Sequence, residues 1–161
     1  LIAAAASLRP SIQVVGVGDG PERPRLAQQI DDLGLEGRVH LVGARSDAAD
    51  HQAAADVVVM CSIWEGFGLV VAEALALGRP VVATAVGPVP SMVIDGETGR
   101  LVPPSDPAAL AAAITDLLDH PEDALAMGQA GAKLVEPHFD IPALIARVED
   151  VYDLVTNPVP A

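Results

Sequence analysis

Cysteine is nearly absent: Cys61 is the only one in 161 residues. That excludes an internal disulfide framework and a cysteine-built zinc cluster, and it fits a reducing compartment, so cytoplasm is the expected location. Aromatic residues are almost as scarce, with two Phe, one Trp and one Tyr. The core must therefore be aliphatic. Bases are few as well: nine Lys plus Arg stand against 22 Asp plus Glu, a formal net charge of −13. Such a surface carries no broad phosphate-backbone footprint, and no nucleic-acid partner is expected. Long apolar runs are missing too. The run Leu1 to Ala6 falls far short of the ~20 residues of a transmembrane helix, and none is expected. With no initiator Met, basic n-region or complete h-region at Leu1, the chain is expected to begin at a fragment edge, not with a signal peptide.

What is present is a foldable chain. Hydrophobic residues make up 51% and charged residues 19%, far from the composition of disorder. One domain of this size buries roughly 70% of its unfolded surface. Short β-branched runs alternate with Ala/Leu-rich stretches, the pattern of βα units in a parallel sheet with helices on both faces. Strands are predicted over Ile12 to Val17, Arg38 to Val42, Val57 to Cys61, Pro80 to Thr84 and Arg100 to Val102. Helices are predicted over Pro21 to Leu33, Asp47 to Ala55, Gly68 to Leu77 and Gly87 to Ile94, with Pro21 at a first helical position and Gly34 and Gly78 as stops. After Val102 only helix is predicted, over Pro107 to Asp119, Pro121 to Val135 and Ile141 to Val155, the first capped by Asp106. Residues 101–161 carry ten acids against Lys133 and Arg147, a solvated acidic tail, so an anionic ligand belongs to the first hundred residues.

Ligands of open parallel sheets bind beyond the carboxyl ends of the strands. The first such loop, Gly16-Val17-Gly18-Asp19-Gly20-Pro21, lets backbone approach a ligand, but equally suits a plain strand-to-helix turn. Pro21 replaces the last glycine of a dinucleotide fingerprint, and no acid ends the second strand, which disfavours a dehydrogenase. The third strand leads into Ser62-Ile63-Trp64-Glu65-Gly66-Phe67-Gly68-Leu69. Here two of the four aromatics flank Glu65. Gly66 and Gly68 clear the helix start, so the amides of Phe67, Gly68 and Leu69 suit a diphosphate. Glu73 is the sole charged residue between Gly68 and Gly78. It either meets ligand hydroxyls from a buried position, or faces solvent or Arg79. His40, His51, His120 and His138 show no i,i+4 pair or Cys partner, so no metal site is expected. Cys61 reads as core, and Asp95-Gly96-Glu97-Thr98-Gly99 as a structural turn.

Glu65-Gly66-Phe67-Gly68, Glu73-Ala74 and Gly78-Arg79-Pro80-Val81-Val82-Ala83-Thr84 together resemble the retaining glycosyltransferases of the GT-B fold, the large family four group. Two glutamates with seven residues between them match that group's donor-site signature, and similarity runs from Val15-Gly16-Val17-Gly18 through Ala54-Ala55-Asp56-Val57 to Leu101-Val102-Pro103-Pro104. The resemblance implies that residues 1–161 form the nucleotide-sugar-binding C-terminal domain of a two-domain enzyme, a Rossmann-like half followed by a helical tail, whose N-terminal acceptor domain is missing. By position, it implies Glu65 against the donor sugar as the catalytic residue and the amides of Phe67, Gly68 and Leu69 on the diphosphate. Glu73 falls on the ribose, the backbone of Ala44 and Arg45 on the base, and Gly16 and Gly18 near the donor. The implied substrate is a UDP-, GDP- or ADP-sugar, with no obligatory cofactor or metal. The family's usual Arg and Lys for the phosphates fall upstream of Leu1 and its His near the reacting sugar falls in the missing half, so this fragment alone is expected to bind weakly and be inactive.

Two departures stand out. Gly87-Pro88-Val89-Pro90-Ser91 replaces the family's Gly-Gly-x-Pro-Glu, which removes an amide and a carboxylate from the donor side. Met60-Cys61-Ser62-Ile63 replaces Leu-Pro-Ser-Leu, and its Ser62-Ile63 before Glu65-Gly66-Phe67-Gly68, together with His138-Phe139-Asp140-Ile141, resembles trehalose-forming members. The alternatives are a GT-B-like nucleotide-sugar epimerase or phosphorylase, and a non-catalytic nucleotide-binding module that keeps only the fold.

Overall fold

The computed structural model describes residues 1–139 and 141–156, with the side chains of 138 and 139 also outside the description. In chain order it contains α1 (Ile2–Ala5), β1 (Val14–Val17), α2 (Arg23–Asp32), β2 (Val39–Gly43), α3 (Ala48–Ala54), β3 (Val58–Met60) and α4 (Leu69–Ala76). Then follow β4 (Val81–Thr84), α5 (Val89–Met92), β5 (Arg100–Val102), α6 (Pro107–Asp119), α7 (Pro121–Phe139) and α8 (Ile141–Thr156). The alternation predicted from sequence is present, and β5 has the predicted bounds.

All strand pairs are parallel. They fall into two hydrogen-bonded sets, β1-β2 and β3-β4-β5, where the sequence suggested one sheet. In the larger set successive side chains enter opposite cores, as the two-residue period of a strand requires. Val58, Met60, Val81 and Ala83 pack with Val71, Ala74 and Leu75 of α4, Val89 and Met92 of α5 and Val135 of α7. Val57, Val59, Cys61, Val82 and Val102 face Leu110, Ile114 and Leu117 of α6 on the other side. Helices thus cover both faces, which is why these strands read as unbroken apolar runs.

Helix α1 was not predicted. Only four residues long, it is held by tertiary packing, not by its own propensity. Ala4 enters the core under α6, while Ile2 and Ala5 enter a third core with Ile30, Leu35 and Val39 beneath β1-β2. Arg38 clamps the same region, its guanidinium donating to the carbonyls of Leu8 and Arg9 at 3.1 and 3.0 Å. Helix α2 starts at Arg23, two residues after the expected Pro21, with Pro24 in its first turn. The Arg23 amide instead closes a turn onto the Gly20 carbonyl. Asp106 caps α6 as expected, accepting from the Ala109 amide at 2.9 Å.

Helix α7 runs close over α4. A β-carbon at Gly128 would lie 2.2 Å from the Gly78 carbonyl oxygen, and one at Gly131 would lie 2.5 Å from Leu75 Cδ2. Two small residues one helical turn apart therefore set this approach. Among the described residues, no helix is long and apolar enough to cross a membrane.

Candidate functional site

Within each set the strands are parallel, so the loops leaving β1 and β2 share one end, as do those leaving β3 and β4, the kind of strand end that takes ligands in open α/β sheets. The bond between Gln52 of α3 and Glu73 of α4 links the two sets there. The segment between β3 and α4 is the most constrained. Ser62 Oγ donates to Glu65 Oε1 at 2.7 Å, and Thr84 Oγ1 donates to the Ser62 carbonyl at 2.6 Å. The Glu65 carboxylate is thus tethered through Ser62 to the end of β4. Gly87 closes the other side. It has φ 51°, and a β-carbon there would sit 2.4 Å from the Glu65 carbonyl oxygen.

Gly68 caps α4 in the left-handed conformation, φ 86°, which glycine adopts without penalty. A β-carbon at this buried residue would press on Met92 Cε and Val89 Cγ2 at 3.1 and 3.2 Å. The first intrahelical bonds come from the Val71 and Ala72 amides to the Gly68 carbonyl. The Leu69 and Val70 amides precede them and point out of the helix start, with the dipole favouring an anion. Leu69 and Val70 side chains are exposed, so this start is open.

Glu73 is exposed on α4, which corrects the buried alternative of the sequence reading. Its partner is neither solvent alone nor Arg79. Gln52 Nε2 of α3 donates to Glu73 Oε2 at 3.1 Å. Gln52 Oε1 is itself buried without a partner, as is Arg79 Nε. Nothing in the sequence marks residue 52, which lies 21 positions from its partner.

The Gly16 to Gly20 turn is tied to the loop after β2. The Gly18 amide donates to the Gly43 carbonyl at 2.8 Å, and Arg23 Nη2 donates to the Leu41 carbonyl at 2.8 Å. Gly16 is a strand residue, paired with Leu41 just before a register shift. Ala44 and Arg45 are exposed. The Arg45 guanidinium grips Asp47 with two 2.8 Å bonds. That hydrogen bonding holds the Asp47 carboxyl down at about 2 and raises Arg45 further above its ordinary value.

The Pro88 departure leaves a short α5, where Ser91 Oγ donates to the Pro88 carbonyl at 2.7 Å. The turn 95–99 is structural as expected: Asp95 Oδ1 accepts from the Leu101 amide and Thr98 Oγ1 from the Ile94 amide. Cys61 packs against the α6 core. Among the described residues no three His, Cys, Asp or Glu side chains converge as metal ligands. Of the His138-Phe139-Asp140-Ile141 motif, the side chains of 138 to 140 lie outside the described residues. Sequence reasoning missed Ser62 as a tether, Thr84, Gln52 and Arg23. Ser62 was visible only as part of a motif, and the others bind across the fold.

The family model "Glycosyl transferases group 1" matches residues 1–134. The D-inositol 3-phosphate glycosyltransferase of Streptomyces coelicolor is 47% identical over 104 residues, 65% of this chain and 22% of that one. The trehalose synthase of Pyrococcus horikoshii is 34% identical over 152 residues, 88% of this chain and 36% of that one. The crystal structure of Anabaena Alr3699/HepE in complex with UDP-glucose superposes with a TM-score of 0.90 at 31% identity, covering 95% of this chain and 44% of the other. The chain thus spans between 22% and 44% of the length of these relatives. By its family match and by the agreement of its fold with GT-B C-terminal Rossmann-like domains, the chain belongs to the glycosyl transferases group 1 family.

Proposed function

We propose that residues 1–161 are the donor-binding half of a retaining glycosyltransferase, which moves a sugar from a nucleoside diphosphate to an acceptor hydroxyl. The observation that carries this reading is the junction of β3 and α4, where a tethered Glu65, an open helix start and Glu73 follow one another at one ligand-binding edge. In the reaction the bond from the anomeric carbon to the diphosphate oxygen breaks. The acceptor oxygen bonds that carbon on the same face, and its proton passes to the departing phosphate oxygen. Glu65 holds the sugar hydroxyls. The amides of Phe67, Gly68 and Leu69, backed by the helix dipole, stabilise charge developing on the diphosphate, a role that needs no metal. Glu73 takes the ribose hydroxyls, the backbone of Ala44 and Arg45 takes the base, and the Gly16 and Gly18 turn borders the donor.

UDP is the nucleotide we favour, because the Anabaena neighbour is in complex with UDP-glucose. A trehalose-forming specificity is supported by Ser62-Ile63 before Glu65 and by the similarity to the Pyrococcus trehalose synthase. The rest of such an enzyme, with its acceptor half, lies outside this chain, and we place the whole in the cytoplasm on its cysteine usage. Helix α8 supports the incompleteness: Leu144, Val148, Val151 and Tyr152 leave an apolar face exposed.

Calorimetric titration of this chain with UDP, GDP and ADP, with and without magnesium, tests the reading. Metal-independent binding of one nucleotide that weakens at least tenfold in Glu73→Ala is expected. Unchanged affinity in that variant removes the ribose assignment. Absence of binding both here and in the complete protein removes the donor site.

A further inference from the structure

Large apolar side chains seldom stand free beside polar machinery, yet Ile63 and Trp64, immediately before Glu65, are 77% and 76% exposed. Phe67, Leu69 and Val70 just after them are exposed as well, and such a local run of exposed apolar side chains, not a lone one, marks a contact surface. The indole is not splayed at random. It lies over the bare backbone of Gly66, with Cη2 3.5 Å from where a β-carbon would stand. Trp64 is the only tryptophan in the chain.

The donor site proposed above runs in order along the ligand edge. The base loop at 44–45 follows β2. Glu73 is bonded to Gln52 of α3 on that same side. The amides at 67–69 follow β3, and Glu65 rests against Gly87 and, through Ser62, Thr84 on the β4 side. On the proposed reading these groups meet base, ribose, diphosphate and sugar in turn. Trp64 directly precedes Glu65 in the chain, so it stands next to the residue assigned to the sugar, which an acceptor has to approach.

We infer that Trp64 is an acceptor-specificity residue: its indole stacks against the C–H face of a ring acceptor, a hexopyranose or a cyclitol. The electron-rich face of an indole attracts polarised C–H groups without a charge. No cation adjoins it in sequence, where the neighbours are Ile63 and Glu65. The inference rests on the donor-site reading, and its test separates the two.

In the complete protein, transfer from the glucose conjugate of the nucleotide bound by the wild type is measured to D-glucose and to D-inositol 3-phosphate. Hydrolysis of the same donor, in which water takes the acceptor's place, serves as the control. Trp64→Ala should raise the acceptor KM at least tenfold and Trp64→Phe less than threefold, with donor KM, hydrolysis rate and nucleotide affinity within twofold of wild type. Unchanged acceptor KM overturns the inference. An equal loss in donor KM or nucleotide affinity overturns it too, since Trp64 would then serve the donor or the fold. So does failure of the wild type to use either ring acceptor. Failure of the wild type to bind any nucleotide is read before a variant is made; it removes the donor site and this inference with it.

Discussion

Gly87 and Glu65 share one small volume: a β-carbon on Gly87 would stand 2.4 Å from the Glu65 carbonyl oxygen. The loop after β4 therefore holds the loop after β3 by close backbone approach, and only a glycine at 87 permits it. The φ of 51° adds a second reason for glycine. Gly87→Ala should lose about 1–3 kcal/mol in urea unfolding by overpacking and backbone strain and should displace Glu65. Wild-type stability in this variant would show that the loop has room to move.

Ser62 holds the Glu65 carboxylate from the other side at 2.7 Å. Removing a hydrogen bond to a charged group costs about 1.5–3 kcal/mol where it is buried, and less at this half-buried site. Ser62→Ala in the complete protein should therefore lower kcat about tenfold through a loosened Glu65, with a stability loss of about 1 kcal/mol or less. Turnover equal to wild type would mean that Glu65 does not depend on this tether.

Gly128 and Gly131 of α7 offer a graded test of helix approach. At 128 the obstacle is the Gly78 backbone at 2.2 Å, and at 131 it is the movable tip of Leu75 at 2.5 Å. Alanine gains ~1 kcal/mol of helix propensity over glycine at either site. Gly128→Ala should nevertheless destabilise by about 2 kcal/mol or more, and Gly131→Ala by less. The reverse order in thermal or urea unfolding would contradict the packing of α7 on α4.

Asp47 should titrate at about 2 because Arg45 binds it. In Arg45→Ala, proton-monitored NMR should find it moved toward the ordinary ~3.9. A depressed carboxylate stabilises the fold above its unfolded value and loses that contribution as pH falls through about 2. Wild type should therefore lose more stability than Arg45→Ala between pH ~4 and ~2.

His120 works in the opposite sense: the Asp116 backbone carbonyl at its ring raises it, helped by the Asp116, Asp123 and Asp119 charges. Its contribution is full below the unfolded value of ~6.5 and is lost as pH rises through the folded one. His120→Gln should flatten the pH dependence of unfolding in that window; an unaltered profile would remove His120 from the balance.

The strands and most helices were legible because their signals run along the chain. Val57-Val58-Val59 and Val81-Val82 announce a sheet covered on both faces, and Asp106-Pro107 announces a helix start. Residue spacing also marked the Glu65 to Glu73 segment, since a glycine-cleared helix start needs only local sequence. Helix α1 was not legible, because four residues of Ile and Ala become helical only when two cores receive them.

Sequence by itself thus determined the α/β alternation and the family, and it singled out the Glu65 to Glu73 segment as the candidate site, all of which follow from local propensity, period and motif. Tertiary structure alone decided which distant groups hold that segment. It divided the strands into two hydrogen-bonded sets, put Glu73 in the open beside Gln52, set Glu65 against Gly87, and bound the Ser62 carbonyl to Thr84. The physical reason is that hydrogen bonds and close packing link residues separated by twenty or more positions, and their partners are chosen only when the cores close.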